Sequence, residues 1–238
     1  MRIGILTAMD KEKAAISSML DDRHETLAEG IQYTLGRRGR HSIALAAMGI
    51  GKVNAALGAE AIIRLFKPDA VISAGVAGGL ESSKKAGIRI MDVVAGNRYS
   101  YHDVWCGSPN GKGQVQGMPQ YFPADAKLVR AAEMLAMMRN ASGGQKVHCG
   151  LIVSGDQFIE DNAAKEAICV NFPDSLAADM ESAALAHVCY MKNVPFISFR
   201  IISDIPGSEN HSGQYEDFWA ELAEKSFAIT KAFIAALP

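Results

Sequence analysis

Residues 178–205 read ADMESAALAHVCYMKNVPFISFRIISDI. The small apolar residues after Glu181 are typical of a buried helix, and the apolar run from Phe196 to Ser203 predicts a buried strand. A carboxylate stands at each end of this pair, because Glu181 opens the helical run and Asp204 follows the strand directly. Ligands of open α/β sheets bind at the carboxyl ends of strands. We therefore expect Glu181 and Asp204 to belong to a binding site.

Strands and helices alternate along the rest of the chain. The apolar patterns predict strands over residues 2–7, 31–37, 42–48, 70–74, 88–95 and 150–154, and helices over residues 9–20, 53–66, 126–138 and 215–236. Such an alternation is typical of an α/β fold built on a central sheet. Because no repeat, linker or low-complexity tract interrupts it, we expect one domain over residues 1–238.

The composition limits the classes of partner. The chain has 238 residues, 49% hydrophobic and 21% charged, with a net charge of -2. This charge predicts no attraction to nucleic acid or to an anionic membrane. No apolar run reaches the ~20 residues that span a bilayer, and the first residues lack the apolar core of a signal peptide. We therefore expect a cytoplasmic protein.

Metal-ligand patterns are missing from the sequence. The four cysteines, Cys106, Cys149, Cys169 and Cys189, form no C-x-x-C pair, and the six histidines form no H-x-x-x-H pair. The beginning of the chain also lacks the aspartate cluster that a hard cation requires. The sequence thus predicts no metal site and no cofactor.

Ordered blocks of sequence carry a family resemblance over nearly the whole chain. They are Ile3-Gly4-Ile5, Ala8-Met9 with Glu12, Gly49-Ile50-Gly51-Lys52-Val53, Ala77-Gly78-Gly79-Leu80, Tyr101-His102-Asp103, Gly150 to Asp156, Met180-Glu181, Ala186 to Cys189 and Ile202-Ser203-Asp204. Together they resemble the 5′-methylthioadenosine/S-adenosylhomocysteine nucleosidases of the nucleoside phosphorylase/hydrolase superfamily. The resemblance implies a three-layer αβα sandwich with a central mixed sheet, a homodimer, and hydrolysis of the N-glycosidic bond of an adenine nucleoside with a 5′-thio substituent.

Cleavage of that bond requires three groups. It produces an oxocarbenium-like ribosyl cation and a purine anion, so the purine needs a proton, the cation needs negative charge and water needs a base. The resemblance implies that Asp204 is the general acid at purine N7, that Glu12 activates the water, and that Glu181 binds the ribose hydroxyls. Burial against Phe199 would favour the protonated form that the role of Asp204 requires.

Each acid also has a plain structural interpretation. Asp204 could cap the next turn, and Glu12 could be a first-turn glutamate favoured by the helix dipole. Glu181 could be a helix-start acid next to an N-cap at Asp179. Where Asp179 stands, the family commonly has Glu.

The resemblance also implies a set of residues that contact the substrate. Phe158 and Ile159 are expected to bind adenine, Met180 to pack on the sugar and Ser203 to orient Asp204. The remaining candidates are Met9, Ile50, Val76, Gly78 and Tyr215. Gly78 lies in a glycine-rich turn that lets a backbone approach the base, and Tyr215 is expected near the 5′ substituent.

Two positions depart from the family pattern. Val76 stands where many members have Ser or Thr, so we expect a hydrogen bond near the general acid to be missing. Residues 105–108 also differ from the usual loop, whereas residues 113–119 resemble the segment that closes the neighbouring subunit's pocket.

Three other functions share parts of this pattern. A phosphorylase of the same fold would need arginines for phosphate, and a glutamate at that place would repel the anion. A hydrolase of futalosine-type nucleosides shares these motifs and differs in its substrate. A nucleoside-binding protein without catalysis would not require Glu12, Glu181 and Asp204 together.

Overall fold

A central sheet organises the protein. The computed structural model describes residues 1–80, 87–143, 145–208, 211–219 and 227–237. Within these residues the strands are β1 (Arg2–Thr7), β2 (Asp21–Ala28), β3 (Ile31–Arg38), β4 (His41–Ala47), β5 (Ala70–Gly79), β6 (Val93–Tyr101), β7 (Phe122–Pro123), β8 (Val147–Ser154), β9 (Ser175–Asp179) and β10 (Phe196–Asp204).

The strands form one mixed sheet in the order β10-β6-β8-β9-β5-β1-β4-β3-β2, with β7 paired to β6. Strand β5 runs parallel to β1 and β10 and antiparallel to β9. Because β10 pairs with both β5 and β6, the strands β5, β9, β8, β6 and β10 close into a ring. The remaining strands, β1, β4, β3 and β2, extend the sheet from β5 to one side of this ring.

Helices cover both faces of this sheet. They are α1 (Asp10–Ser17), α2 (Lys52–Phe66), α3 (Ala126–Ala141), α4 (Asn162–Asn171), α5 (Ser182–Lys192), α6 (His211–Asp217) and α7 (Ala228–Ala236). Helices α1, α3 and α7 share one apolar core with residues of the sheet such as Ile72 and Phe199. Helices α2 and α5 share a second core with residues such as Val71 and Ile202. The expected three-layer αβα sandwich with a central mixed sheet is thereby confirmed.

Strands β5 and β10 are deeply buried. All nine residues of β10 are buried, as are eight of the ten residues of β5. A strand covered on both faces is a continuous apolar run rather than an alternating one, which is how the sequence of β10 reads. These two strands therefore hold the backbone of the residues at their carboxyl ends in place.

The register places several segments at one edge of the sheet. Strands β1, β4, β5 and β10 run parallel, so their carboxyl ends meet. At this edge Gly78 pairs with both Asp204 and Ala178. A Cβ atom at Gly78 would lie 3.0 Å from the Pro206 Cγ and 3.2 Å from the Asp204 Oδ2. Glycine at this position thus permits the close approach of the two strand ends.

Some predicted elements need correction. The strand expected over residues 88–95 spans Val93–Tyr101, and Gly78 lies within β5 rather than in a turn after it. The segment before Glu181 is the end of strand β9, so the helix begins at Ser182 with Glu181 as its N-cap. Of the helix expected over 215–236, residues 220–226 lie outside the described residues.

Three strands and one helix were missed, and one of these strands, β7, has only two residues. Strand β2 has a polar sequence without apolar alternation, because it is an exposed edge strand. Strand β9 has only five residues, and α4 presents only one fully buried residue, Ile168. In the described part of the chain, no helix is both long and apolar enough to cross a membrane.

Candidate active site

A cavity opens at the edge where the strand ends meet. Its empty volume is about 670 Å³, including the open mouth. All twelve residues predicted for the site line it, namely Met9, Glu12, Ile50, Val76, Gly78, Phe158, Ile159, Met180, Glu181, Ser203, Asp204 and Tyr215. The structure thus brings together segments that are nearly 200 residues apart in sequence.

Glu12 lies on the floor of the cavity at the start of α1. Its side chain accepts hydrogen bonds from the backbone N–H groups of Ala8 at 2.9 Å, Met9 at 3.0 Å and Val76 at 3.0 Å. Burial raises the pKa of Glu12, and it outweighs the lowering effects of the Arg200 charge and of these three amides. Glu12 is therefore a carboxylate that accepts a proton more readily than an exposed glutamate does.

Glu181 is held at the N-terminus of α5. It is 6% exposed, and its Oε1 accepts a hydrogen bond from the Gly51 N–H at 2.9 Å. Burial and the nearby charge of Asp179 raise the pKa of Glu181 to about 7, against the lowering effect of Arg200. Near neutral pH this carboxyl group can therefore exist in either protonation state.

Asp204 closes strand β10 and is 2% exposed. The Ser203 hydroxyl donates to its Oδ1 at 2.5 Å. The same hydroxyl lies 3.4 Å from the Ala77 carbonyl oxygen on the neighbouring strand. Ser203 is therefore in hydrogen-bond contact with Asp204, and the role expected for it stays a prediction.

Arg200 is the main group that sequence reasoning did not include. Its side chain is 2% exposed, its Nε donates to Asp179 Oδ2 at 2.6 Å, and its Nη2 lies 4.0 Å from Glu181 Oε2. Ser73 accepts a further hydrogen bond from Arg200 at 3.0 Å, and Ser154 donates to Asp179. A lone arginine in an otherwise apolar strand must be paired when it is buried, and that was the available signal.

The mouth of the cavity is apolar. The rings of Phe158 and Tyr215 meet edge to face with their centroids 5.6 Å apart. The Tyr215 hydroxyl lies 3.9 Å from the Met9 sulfur. Phe158 and Ile50 are about half exposed, at 50% and 51%. The cavity therefore combines an acidic floor with an apolar entrance, which suits a ligand with a polar sugar and an apolar end.

The charged side chains that line the cavity are acidic in the described part of the chain. Among its described lining residues four are acidic, Glu12, Asp179, Glu181 and Asp204, and none is Lys or Arg. In the described part of the chain no group of three or more His, Cys, Asp or Glu side chains is arranged to hold a metal ion.

Comparison with known proteins first gives the class. The sequence model of the phosphorylase superfamily matches residues 2–235. The chain therefore belongs to this superfamily.

Solved structures then give the family. A 5′-methylthioadenosine/S-adenosylhomocysteine nucleosidase from Streptococcus pneumoniae, with a transition-state inhibitor, is 33% identical over 100% of both chains with a TM-score of 0.91. The enzyme from Neisseria meningitidis, in complex with methylthio-immucillin-A, is 32% identical over 99% of both chains with a TM-score of 0.90. This chain belongs to the 5′-methylthioadenosine/S-adenosylhomocysteine nucleosidase family.

The buried ion pair gives a first prediction. Arg200→Met leaves Asp179 buried without its cation, and breaking a buried pair from one side costs about 3–5 kcal/mol. Urea denaturation should show a fall of this size in the free energy of unfolding. Arg98→Met removes an ion pair to Asp174 whose partners are 37% and 54% exposed, and should cost less than about 1 kcal/mol. Equal losses in the two variants would contradict the importance of the buried pair.

The raised pKa of Glu181 gives a second prediction. Between pH 4.5, its ordinary value, and about 7 the folded protein keeps a proton that the unfolded chain has lost. The native state therefore loses stability as the pH rises through this interval. Glu181→Gln cannot ionise, so its free energy of unfolding relative to the parent protein should rise by up to roughly 3 kcal/mol between these pH values.

Glu25 is a control of opposite sign. The hydrogen bond from Thr34 is the largest influence on the pKa of Glu25 and lowers it, so its contribution to stability appears as the pH rises through the acidic range. Glu25→Gln should therefore lose stability relative to the parent as the pH increases. A Glu181→Gln difference that is flat with pH, or of the same sign as that of Glu25→Gln, would contradict the assignment.

Proposed function

We propose that this protein hydrolyses the N-glycosidic bond of 5′-methylthioadenosine and S-adenosylhomocysteine, releasing adenine and the 5′-thioribose. The observation that carries the proposal is the convergence of Glu12, Glu181 and Asp204 in one cavity. Three solved structures of two relatives, with adenine, 8-aminoadenine or a transition-state inhibitor bound, support the same ligand class.

Asp204 acts as the general acid in this proposal. It donates a proton to purine N7 as the C1′–N9 bond breaks, so that adenine leaves as a neutral molecule. Its burial at the end of β10 and its contact with the Ser203 hydroxyl support the role, because both fix the carboxyl group in one orientation.

Glu12 and Glu181 act on the sugar. Glu12 takes a proton from the attacking water, and its raised pKa supports that role because a base works best when its pKa approaches the working pH. Glu181 accepts hydrogen bonds from the 2′- and 3′-hydroxyls and offsets the positive charge that develops on the ribosyl group. Met180, next to Glu181 on the cavity wall, packs on the sugar face.

The apolar wall binds the two ends of the substrate. Phe158 stacks on adenine, and Ile159 and Gly78 border the base with backbone groups. Met9, Ile50 and Tyr215 accept the 5′-thio group at the apolar mouth. Val76 donates its backbone N–H to Glu12, and its side chain has no hydroxyl group to donate a further hydrogen bond.

Hydrolysis is favoured over phosphorolysis by the charge of the cavity. A phosphate beside C1′ would face four carboxyl groups among the described lining residues, without a lysine or arginine in the lining to bind it. Arg200 lies behind the lining and is engaged with Asp179 and Ser73. Water is therefore the better nucleophile for this site.

The assembly and location follow as further proposals. We infer one catalytic domain over residues 1–238, since the described strands belong to one sheet and the superfamily match covers residues 2–235. Val53 and Leu57 are 71% and 63% exposed and lie four residues apart on one side of α2, and Ile50, which is 51% exposed, lies just before this helix. A second copy of the chain covers this apolar face in a homodimer. A cytoplasmic location agrees with four cysteines that form no disulfide in the described part of the chain, because reduced thiols persist in that compartment.

An adenine-release assay tests the function. The protein should convert 5′-methylthioadenosine to adenine and 5-methylthioribose at a rate that phosphate does not change. Asp204→Asn should lower kcat by about 10²–10⁴-fold and leave the affinity for the nucleoside within about threefold, since the amide keeps the shape of the carboxyl group. Formation of a pentose 1-phosphate, or full activity of Asp204→Asn, would overturn the proposal.

The dimer proposal has its own test. Leu57→Glu places a charge on the apolar face of α2 and should convert the dimer into monomers in light scattering. Met137→Glu is the matched control, because Met137 is 76% exposed on helix α3, and it should remain dimeric. A monomeric parent protein, or a dimer that survives Leu57→Glu, would contradict the proposed interface.

A further inference from the structure

Three charged side chains from three separate segments meet beside the cavity, and none of them lines it. They are Lys52 at the start of α2, Asp103 after β6 and Asp156 after β8. The Lys52 Nζ lies 2.6 Å from Asp103 Oδ2 and 3.8 Å from Asp156 Oδ2. The side chains of Lys52 and Asp103 are only 23% and 17% exposed. The Lys52–Asp103 pair is therefore more enclosed than an ordinary surface ion pair, whereas the side chain of Asp156 is 48% exposed.

The cluster is joined to Glu181 through the start of helix α2. The Lys52 N–H donates to Asp156 Oδ1 at 2.8 Å, and the preceding Gly51 N–H donates to Glu181 Oε1 at 2.9 Å. Two successive N–H groups at the helix N-terminus are thus divided between one acid of the cluster and one acid of the site. Anions are stabilised at such a position. A shift of Asp156 would therefore move the turn that holds Glu181.

Gly51 leaves little room in this turn. Its φ is +95°, and a Cβ atom on it would lie 3.0 Å from Asp156 Oδ1. The turn and the carboxylate of Asp156 are therefore in close contact, and the absence of a side chain at Gly51 makes that contact possible.

The cluster is joined to the base-binding segment as well. The Asp156 N–H donates to Asp103 Oδ2 at 2.9 Å, the same oxygen that receives the Lys52 ammonium group. Residues 157–159 follow directly and line the cavity. Burial raises the pKa of Asp103, but the hydrogen bond from Lys52 and the Asp156 amide outweigh it and keep the pKa below its ordinary value. Asp103 is therefore an anion that can hold both Lys52 and the backbone at Asp156.

We propose that Lys52, Asp103 and Asp156 are positioning residues that fix the distance between the ribose-binding Glu181 and the base-binding segment 157–159. We call these three residues the clamp. The inference rests on the proposed nucleosidase function and extends it to residues that do not touch the substrate. If the clamp loosens, adenine and ribose can no longer be held at the same time in their best positions, so the substrate and the transition state are bound more weakly by similar amounts.

Two variants and two controls test the clamp. Lys52→Met and Asp103→Asn each remove one partner, Lys52→Arg retains the positive charge, and Arg64→Met removes ion pairs to Glu29 and Glu60 from the other end of the same helix. Lys52→Met and Asp103→Asn should each raise KM for 5′-methylthioadenosine by about tenfold with kcat changed less than about threefold, because the affected contacts exist in the ground state and the transition state alike. Lys52→Arg should recover most of the loss, and Arg64→Met should match the parent.

A double variant separates a clamp from two independent effects. The double variant Lys52→Met with Asp103→Asn should raise KM by about as much as either single change, since both changes break the same unit. A KM that stays at the parent value in both single variants, with only the thermal midpoint lowered, would overturn the proposal. Increases in KM that multiply in the double variant would overturn it as well.

Calorimetry keeps the two proposals apart, because it needs no turnover. Methylthio-immucillin-A, which occupies the base and sugar positions together, should bind about tenfold more weakly to Lys52→Met than to the parent or to Arg64→Met, whereas adenine alone should bind the parent and Lys52→Met equally. A parent protein that binds both ligands but releases no adenine from nucleosides would contradict the proposed function. Equal affinities of the parent and Lys52→Met for methylthio-immucillin-A would contradict the clamp.

Discussion

The burial of four carboxyl groups around one cavity is the constraint on which the rest of the structure depends. Glu12, Asp179, Glu181 and Asp204 are all less than 9% exposed, and Arg200 is the buried cation beside them. Isolated charges in such a place cost several kcal/mol each, so they must be neutralised, hydrogen-bonded or protonated. The protein uses all three means. Arg200 neutralises Asp179, backbone N–H groups hold Glu12 and Glu181, and burial raises the pKa of both glutamates.

The sheet supplies the geometry for this arrangement. Backbone donors reach Glu12 and Glu181 because the carboxyl ends of β1, β4 and β5 lie side by side, and Asp204 joins them at the end of β10. The ring of strands closes at Gly78, where β10 and β9 both meet β5. A buried scaffold therefore presents the acids, whereas the aromatic side chains of Phe158 and Tyr215 at the mouth are more exposed.

Much of this site could be predicted from the sequence, but the signal differs from residue to residue. Asp204 and Glu181 are signalled by their positions at the ends of a buried strand and an apolar helix, whereas Glu12 is one polar residue among several and was identified only through the family resemblance. Arg200 was missed because strand periodicity reports burial and says nothing about charge pairing. The register that makes Gly78 the partner of both Ala178 and Asp204 depends on long-range strand pairing, and the short strand β9 gives no pattern strong enough to reveal it.

A crystal structure of the complex with methylthio-immucillin-A tests the central claim most directly, because it shows whether three acids share one ligand. The account predicts a carboxyl oxygen of Asp204 within about 3 Å of the nitrogen that corresponds to purine N7, Glu181 at a similar distance from the ring hydroxyls, and Glu12 on the side of the anomeric carbon away from the base. A ligand bound in this cavity with Asp204 or Glu181 out of hydrogen-bond reach, or bound elsewhere on the protein, would contradict it.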